Sequence, residues 1–88
     1  MKIGFYDKKY TLVYELSNET CCAEIRNGQI QLIDSYGFNQ QDVAFLKSLP
    51  NPIIGKDHSS QDYEIATLNL DDIPYIIRFD YEYFIHRD

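Results

Sequence analysis

The sequence predicts an α+β fold, in which an antiparallel β-sheet of about five to seven strands, connected like a meander, carries one short helix on one face. Three observations support this prediction. Short segments of alternating apolar and polar residues are separated by turn residues. A single segment has helical spacing, and the strands do not alternate with helices as they would in a parallel sheet. Eighty-eight residues fit one domain, which we assign to residues 1–88.

The first third of the chain is predicted to form short antiparallel strands. Alternating patterns and turn residues place these strands at 2–6, 10–16, 20–26 and 29–34. The last two flank Asn27-Gly28, which is the strongest two-residue hairpin signal because both positions tolerate positive φ. We therefore predict a tight hairpin there. Gly4, Gly37 and Gly55 are scattered, and we assign them to turns as well.

One helix is predicted after residue 38. Asn39 is a favourable N-cap, and the charge of Asp42 suits the first turn of the helix. Pro50 ends the helix. The apolar side consists of Val43, Phe45, Leu46 and Leu49. A helix of about ten residues is too short to be stable alone, so we expect it to pack on the sheet.

The remainder returns to strands. Residues 53–54 are predicted to add a short strand, 55–61 a polar loop, and 62–70 and 75–86 the last two strands, joined at Asp71-Asp72. One face of the last strand is a row of large side chains that would extend about 33 Å, whereas a ten-residue helix covers about 15 Å. We expect the remainder of that row to be covered by sheet curvature or by a second molecule.

The charge of the chain constrains its partners. The formal net charge is −6, and residues 31–88 carry all of the excess, with ten acidic and four basic side chains. Phosphate backbones and anionic lipids should repel such a protein, whereas basic surfaces should attract it. Tyr6 and Tyr10 flank Lys8-Lys9, but the overall charge opposes nucleic-acid binding there. With no long apolar run, we expect no membrane contact and a cytoplasmic location, where Cys21 and Cys22 would be free thiols.

The sequence contains no recognisable catalytic or metal-binding motif. Asp57-His58-Ser59-Ser60 holds the residue types of a hydrolase, but neighbours in one polar loop cannot adopt the required geometry. The two histidines and two adjacent cysteines do not have zinc-ligand spacing. We therefore expect no enzyme activity, no catalytic residue, no metal and no cofactor.

The leading hypothesis is a small acidic interaction or inhibitor protein that binds a basic protein, for example one that itself binds nucleic acid. Its size and acidity are typical of small inhibitor, immunity and anti-defence proteins, an analogy in composition that identifies no residue. The partner-binding residues would lie in an acidic, tyrosine-rich C-terminal hairpin: Asp62, Tyr63, Glu64, Asp71, Asp72, Asp80, Tyr81, Glu82 and Tyr83. The alternatives are a homo-oligomer, for example a homodimer, assembled through the last strand, and a small enzyme with a carboxylate site.

Overall fold

The computed structural model describes residues 1–56, 64–80 and 82–84, with only the backbone of Glu82 and Phe84. Within these ranges the elements are β1 (Ile3–Tyr6), β2 (Leu12–Glu15), β3 (Cys21–Arg26), β4 (Gln29–Asp34), α1 (Gln40–Lys47), β5 (Ile53–Lys56), β6 (Glu64–Asn69), a 3₁₀ turn (Leu70–Asp72), β7 (Ile76–Phe79) and β8 (Glu82–Phe84). The predicted α+β class, with antiparallel pairing and a single short helix, is confirmed for this part of the chain.

In the part of the chain that the structure describes, the strands form two four-stranded sheets. The first has the order β2-β1-β7-β8 and the second the order β3-β4-β6-β5. All pairings are antiparallel, but β1 pairs with β7 from the other end of the chain. The sequence predicts one meander-like sheet because local alternation marks strands without marking their distant partners. The first sheet therefore brings the two ends of the chain together.

The strongest local signals are confirmed. Asn27 and Gly28 have φ angles of 54° and 76°, and the hairpin that they close pairs Arg26 with Gln29. The side chain of Asn39 accepts a hydrogen bond of 2.8 Å from the backbone N–H of Asp42, as expected of an N-cap. Residues 53–54 belong to a strand, as predicted.

A single core joins both sheets and the helix. Phe45 attaches α1 to the inner face of the first sheet, with ring centroids 4.8 Å from Phe5 and 4.5 Å from Tyr14. Leu46 is buried on the same helix, and Leu49 is buried just after its C-terminal end. The remaining buried core residues include Ile3 and Ile77 from the first sheet and Ile30, Leu32, Ala66 and Leu68 from the second. Burial of apolar surface, at about 25 cal/mol per Å², drives this association.

The prediction of one long strand over 75–86 is wrong. Strand β7 ends at Phe79, Asp80 turns the chain with a φ of 53°, and β8 runs back to pair Phe84 with Ile77. Two hydrogen bonds of 2.9 Å to Lys2 explain the turn. The Asp80 carboxylate accepts one from the Lys2 N–H, and the Asp80 N–H donates the other to the Lys2 carbonyl. The proposed 33 Å row of large side chains on one strand therefore does not exist.

The hairpin suggested for the last two strands is also not formed. Strand β6 belongs to the second sheet and β7 to the first, so the two strands do not pair. Asp71 and Asp72 lie in the 3₁₀ turn that connects the sheets rather than at a hairpin tip. The C-terminal hairpin of this protein consists of β7 and β8. Gly4 and Gly55 likewise lie within strands, not in turns.

Candidate functional site

The outer face of the first sheet carries a row of four residues from four strands. The strand register aligns Glu15 of β2 with Gly4 of β1, Gly4 with Arg78 of β7, and Arg78 with Tyr83 of β8. Side chains alternate between the faces of a strand, and β1 directs Ile3 and Phe5 into the core. The row therefore faces away from the core.

Gly4 leaves a gap in the middle of this row. The Cα atoms of Glu15 and Arg78 are two strand spacings apart, or about 10 Å, and the residue between them, Gly4, has no side chain of its own. A Cβ atom added at Gly4 would lie 2.9 Å from Cε1 of Tyr6 and 3.4 Å from Cδ1 of Leu12. The missing side chain thus gives the Tyr6 ring room to lie across the strand.

Three tyrosines and one arginine pack beside the gap. The ring of Tyr83 meets those of Tyr6 and Tyr10 edge to face, with centroids 5.8 and 5.5 Å apart. The guanidinium carbon of Arg78 lies 5.3 Å from the centroid of the Tyr83 ring, and its Nη1 donates a 3.4 Å hydrogen bond to the Tyr6 hydroxyl. Tyr10 remains 54% exposed and Tyr83 46% exposed, so both present aromatic surface to solvent.

The β1–β2 turn positions Tyr10. The carboxylate of Asp7 accepts hydrogen bonds of 2.9 Å from the backbone N–H groups of Lys9 and Thr11. The N–H of Tyr10 also donates to the Asp7 carbonyl. These bonds hold Tyr10 at a φ of 62°, which is unusual for a bulky residue. Asp7 therefore fixes the turn that directs Tyr10 towards Tyr83.

An open cleft of about 490 Å³ lies at one end of this face. Its charged side chains are Lys2, Glu15, Glu19, Arg78 and Asp80. Lys2 and Glu19 form an exposed salt bridge with an N–O distance of 3.7 Å. With the ammonium of Met1, which also lines the cleft, three positive groups balance the three carboxylates. The cleft therefore has mixed charge without a net excess, and Tyr6 contributes an aromatic ring to its lining.

The structure places only part of the predicted partner-binding set at this cleft. Asp80 lines it, and Tyr83 belongs to the adjoining cluster of tyrosines. Glu64 lies in the second sheet, where its carboxylate accepts a 3.0 Å hydrogen bond from the N–H of Phe38. Asp71 and Asp72 are exposed in the 3₁₀ turn at the other end of β6, about 17 Å from Glu64 along the strand.

The side chains of the remaining predicted residues are not described by the structure. Asp62, Tyr63 and Tyr81 lie outside the described residues. The backbone of Glu82 pairs with Phe79 in the β7–β8 hairpin. The described acidic residues of the set therefore do not form one continuous surface, and Asp80 also has a structural task in its bonds to Lys2.

Two buried carboxylates form a second polar cluster that the sequence analysis did not anticipate. Asp42 accepts hydrogen bonds from the Tyr14 hydroxyl and from the hydroxyl and backbone N–H of Ser17. Asp34 accepts them from the side chains of Asn18 and Thr20, at 3.2 and 3.1 Å. The loop between β2 and β3 is thereby held at both of its ends.

The environment of this second cluster suppresses ionisation of its neighbours. Burial, and to a smaller extent the nearby Asp34 carboxylate, raise the pKa of the Cys21 thiol to about 12. Burial and the hydrogen bond to Asp42 raise the pKa of Tyr14. Cys21 is therefore an unreactive thiol near neutral pH. We interpret the cluster as structural support for the loop.

Two signals in the sequence could have indicated these sites. Asp42 is spaced four and seven residues before Leu46 and Leu49, which places a carboxylate on the buried side of the helix. Gly4 occupies an interior position of an alternating strand, where glycine often marks a close approach of another group. No sequence signal indicates that Glu15, Glu19 and Arg78 line one cleft, because the strand pairings that bring them together are not marked in the sequence.

Comparison with protein-family models, with curated proteins and with solved structures finds no match for this chain. None of the helices in the described ranges is long and apolar enough to cross a membrane. Among the same residues, no three or more His, Cys, Asp and Glu side chains come together in a way that could hold a metal ion.

Proposed function

We propose that this protein is a non-enzymatic interaction domain that binds a basic protein through the outer face of its first sheet. The observation that carries the proposal is the cluster of Tyr6, Tyr10 and Tyr83 beside Arg78, with Tyr10 and Tyr83 exposed, next to a cleft lined by charged groups of both signs. Tyrosine and arginine are enriched at the centres of protein interfaces, since rigid rings contribute contact area with little loss of entropy.

The charge distribution supports a basic partner. The formal net charge of −6 produces a field that attracts positive surfaces at long range. Asp71 and Asp72 are exposed at a distance from the cleft, so they contribute to this field rather than to direct contact. In this proposal the acidic residues accelerate the encounter, and the tyrosine cluster and cleft hold the partner.

Affinity capture from the native host with matched variants tests the proposal. The wild-type protein and Tyr10→Ala are compared with Tyr36→Ala, which removes an exposed tyrosine outside this face. We expect a basic protein to be retained by wild type and Tyr36→Ala, reduced at least tenfold by Tyr10→Ala, and weakened in 1 M salt. Equal capture by all three variants, or an acidic partner, would contradict the proposal.

The homo-oligomer is a second candidate, because β8 lies at an edge of the first sheet. An edge strand offers backbone N–H and C=O groups to a second copy. Light scattering over a hundredfold range of concentration separates the two candidates. A mass that stays at 10.4 kDa removes the homo-oligomer, whereas a dimer that buries Tyr83 would remove the open partner site.

A further inference from the structure

We propose that β3 pairs with the β3 strand of a second copy of this chain, antiparallel across a two-fold axis at Ile25, so that two four-stranded sheets join into one. The homo-oligomer considered above uses β8, an edge of the first sheet, whereas β3 is an edge of the second sheet and contains no residue of the tyrosine cluster. The inference therefore goes beyond the proposed function, because it assigns a self-association surface that is separate from the partner-binding face.

The backbone of β3 directs polar groups outward along its free edge. β3 lies at one end of the order β3-β4-β6-β5, and no described strand pairs with its other side. The two-residue Asn27-Gly28 turn makes Arg26 and Gln29 a hydrogen-bonded pair, and such pairs alternate along the ladder with pairs that are not bonded. The N–H and C=O groups of Ala23 and Ile25 therefore point away from β4, towards the position of an added strand.

The other edge strands of the described structure carry features that discourage pairing with a further strand. β2 has a register shift in its ladder with β1, β5 follows Pro52 and ends at Lys56, and β8 has three residues. Bulges, proline, lysine and short length are the means by which proteins protect sheet edges. β3 has none of these features, since its six residues pair with β4 in one unbroken register. Its edge is therefore open to an added strand.

The charges of β3 identify a second copy as the strand that fits there. A two-fold axis brings the same residues together from both sides, so a strand with charges of one sign repels its copy. The sequences of β2 and β8 each contain one acidic residue and that of β5 contains one basic residue, whereas β3 contains one of each sign. Glu24 and Arg26 are exposed on the same face, with a guanidinium nitrogen 3.9 Å from a carboxylate oxygen. The edge is therefore neutral in a chain whose net charge is −6.

A two-fold axis at Ile25 brings the opposite charges together. When Ile25 lies opposite its own copy, Glu24 of each molecule lies opposite Arg26 of the other. Four charges of alternating sign then share one face of the joined sheet. The two Ile25 side chains, each 43% exposed in the single chain, meet on the other face. An axis at Glu24 would instead place the two glutamates opposite each other, so charge selects the register centred on Ile25.

Sedimentation velocity over a hundredfold range of concentration tests the self-association. The pairing of one strand with its copy is a small interface, so we expect a dissociation constant on the order of 100 μM and measurements that extend to about 1 mM. The mass should rise reversibly from 10.4 kDa towards twice that value. A mass that stays at 10.4 kDa over the whole range overturns the inference.

Charge-reversed variants test the pairing of Glu24 with Arg26. Glu24→Arg and Arg26→Glu each place two like-charge contacts across the axis and should weaken the dimer at least about fivefold. An equimolar mixture of the two variants should dimerise at least as well as wild type, because every cross-strand pair again has opposite signs. Glu24→Arg also changes the net charge from −6 to −4, since an acidic side chain becomes basic, so general repulsion alone predicts tighter association. Ile53→Ala, on the edge strand β5, is the control and should have no effect.

Single cysteines locate the axis. In a Cys22→Ser background, which removes the exposed thiol, Ile25→Cys should form an intermolecular disulfide on mild oxidation. Residues that face each other in a hydrogen-bonded antiparallel pair have Cα atoms about 5.5 Å apart, which suits a disulfide. Glu24→Cys should form little disulfide, because its copy lies two residues further along the second strand, at about 8 Å. Melting curves establish that each variant is folded.

The outcomes separate this inference from the proposed function. A disulfide at position 24 but not at 25, or a mixture of the charge-reversed variants that stays monomeric, overturns the pairing across Ile25. Neither result affects the proposed function, whose test is the capture of a basic partner that depends on Tyr10. If Tyr83→Ala abolishes the dimer while Glu24→Arg leaves it intact, the molecules associate through the first sheet, and both the inference and the open partner site are wrong.

Discussion

Removal of the Asp42 carboxylate should destabilise the fold more than any other single change to an acidic side chain of α1 or of the 3₁₀ turn. Asp42→Ala deprives the Tyr14 hydroxyl and two groups of Ser17 of their acceptor. The aromatic stack of Tyr14 on Phe45 would lose its polar anchor at the same time.

The magnitude follows from the exposure of each donor. A hydrogen bond from a half-buried hydroxyl to a charged acceptor contributes about 2 kcal/mol. Ser17 is exposed, so water can replace its two bonds at a cost of about 1 kcal/mol in total. The acidic charge in the first turn of the helix adds about 0.5 kcal/mol. We expect a loss of about 3.5 kcal/mol, which corresponds to a melting temperature lower by roughly 20 °C in a domain of this size.

Urea unfolding of three variants, followed by circular dichroism, measures this loss. Asp42→Asn retains an acceptor oxygen and should lose about half as much stability as Asp42→Ala. Asp71→Ala is the control, because it removes an exposed carboxylate and should change the free energy of unfolding by less than about 0.5 kcal/mol. If Asp42→Ala stays within about 1 kcal/mol of Asp71→Ala, the interpretation of the buried cluster as loop support is wrong.

Three further measurements test other features of the fold. Because the pKa of Cys21 is raised to about 12 from 9.0, stability from its neutral thiol is complete below pH 9 and is lost as the pH rises towards 12. The stability difference between wild type and Cys21→Ala should therefore fall by about 1.4 kcal/mol per pH unit in that range, and a constant difference would contradict it. Asp80→Ala should lose about 2 kcal/mol in urea unfolding, whereas Asp80→Asn, which tolerates positive φ and keeps an acceptor for Lys2, should lose less than half of that. Gly28→Ala should cost about 1 kcal/mol despite open space around the Cα atom, because its φ is 76°; a neutral result would show that the hairpin can relax.

The parts of the fold that could be predicted are those determined by neighbours in sequence. Asn27-Gly28 specifies its hairpin because the positive φ angles depend on those two residues alone. The helix start depends on Asn39 and the backbone three residues later. For such features, the preference of the local chain and the final structure agree.

The prediction of a continuous strand through Asp80 is wrong for a different reason. The alternation of residues 75–86 fits a continuous strand, and Asp80-Tyr81 is a weak turn signal by sequence. What stabilises the turn is the pair of hydrogen bonds with Lys2, 78 residues away. The same limit applies to the cleft, because Glu15 and Arg78 become neighbours of Gly4 only when β1 pairs with both β2 and β7. Of the predicted partner-binding residues, Asp80 and Tyr83 lie on this face. Strand pairing and the hydrogen bonds to Lys2 place them there, and the charge distribution in the sequence does not predict either.

The buried and bonded carboxylates change what the acidity of this chain implies. Asp34 and Asp42 are buried and accept hydrogen bonds inside the fold, and Glu64 accepts a hydrogen bond from the N–H of Phe38, just before the helix. The field outside the protein therefore comes from fewer groups than the sequence suggests, with Asp71 and Asp72 among the exposed ones. Long-range charge governs encounter, whereas short-range packing governs dissociation.

This division of roles predicts opposite kinetic effects once the partner is identified. Asp71→Lys combined with Asp72→Lys should slow association severalfold, with a dissociation rate that stays within about twofold of wild type. Tyr83→Ala should leave association nearly unchanged and accelerate dissociation at least tenfold, because it removes a ring that packs against Tyr10 and Arg78. Stopped-flow or surface-plasmon measurements at two salt concentrations separate the two rates. If the charge reversal acts mainly on dissociation, Asp71 and Asp72 contact the partner directly, and the binding face must extend from the first sheet to the 3₁₀ turn.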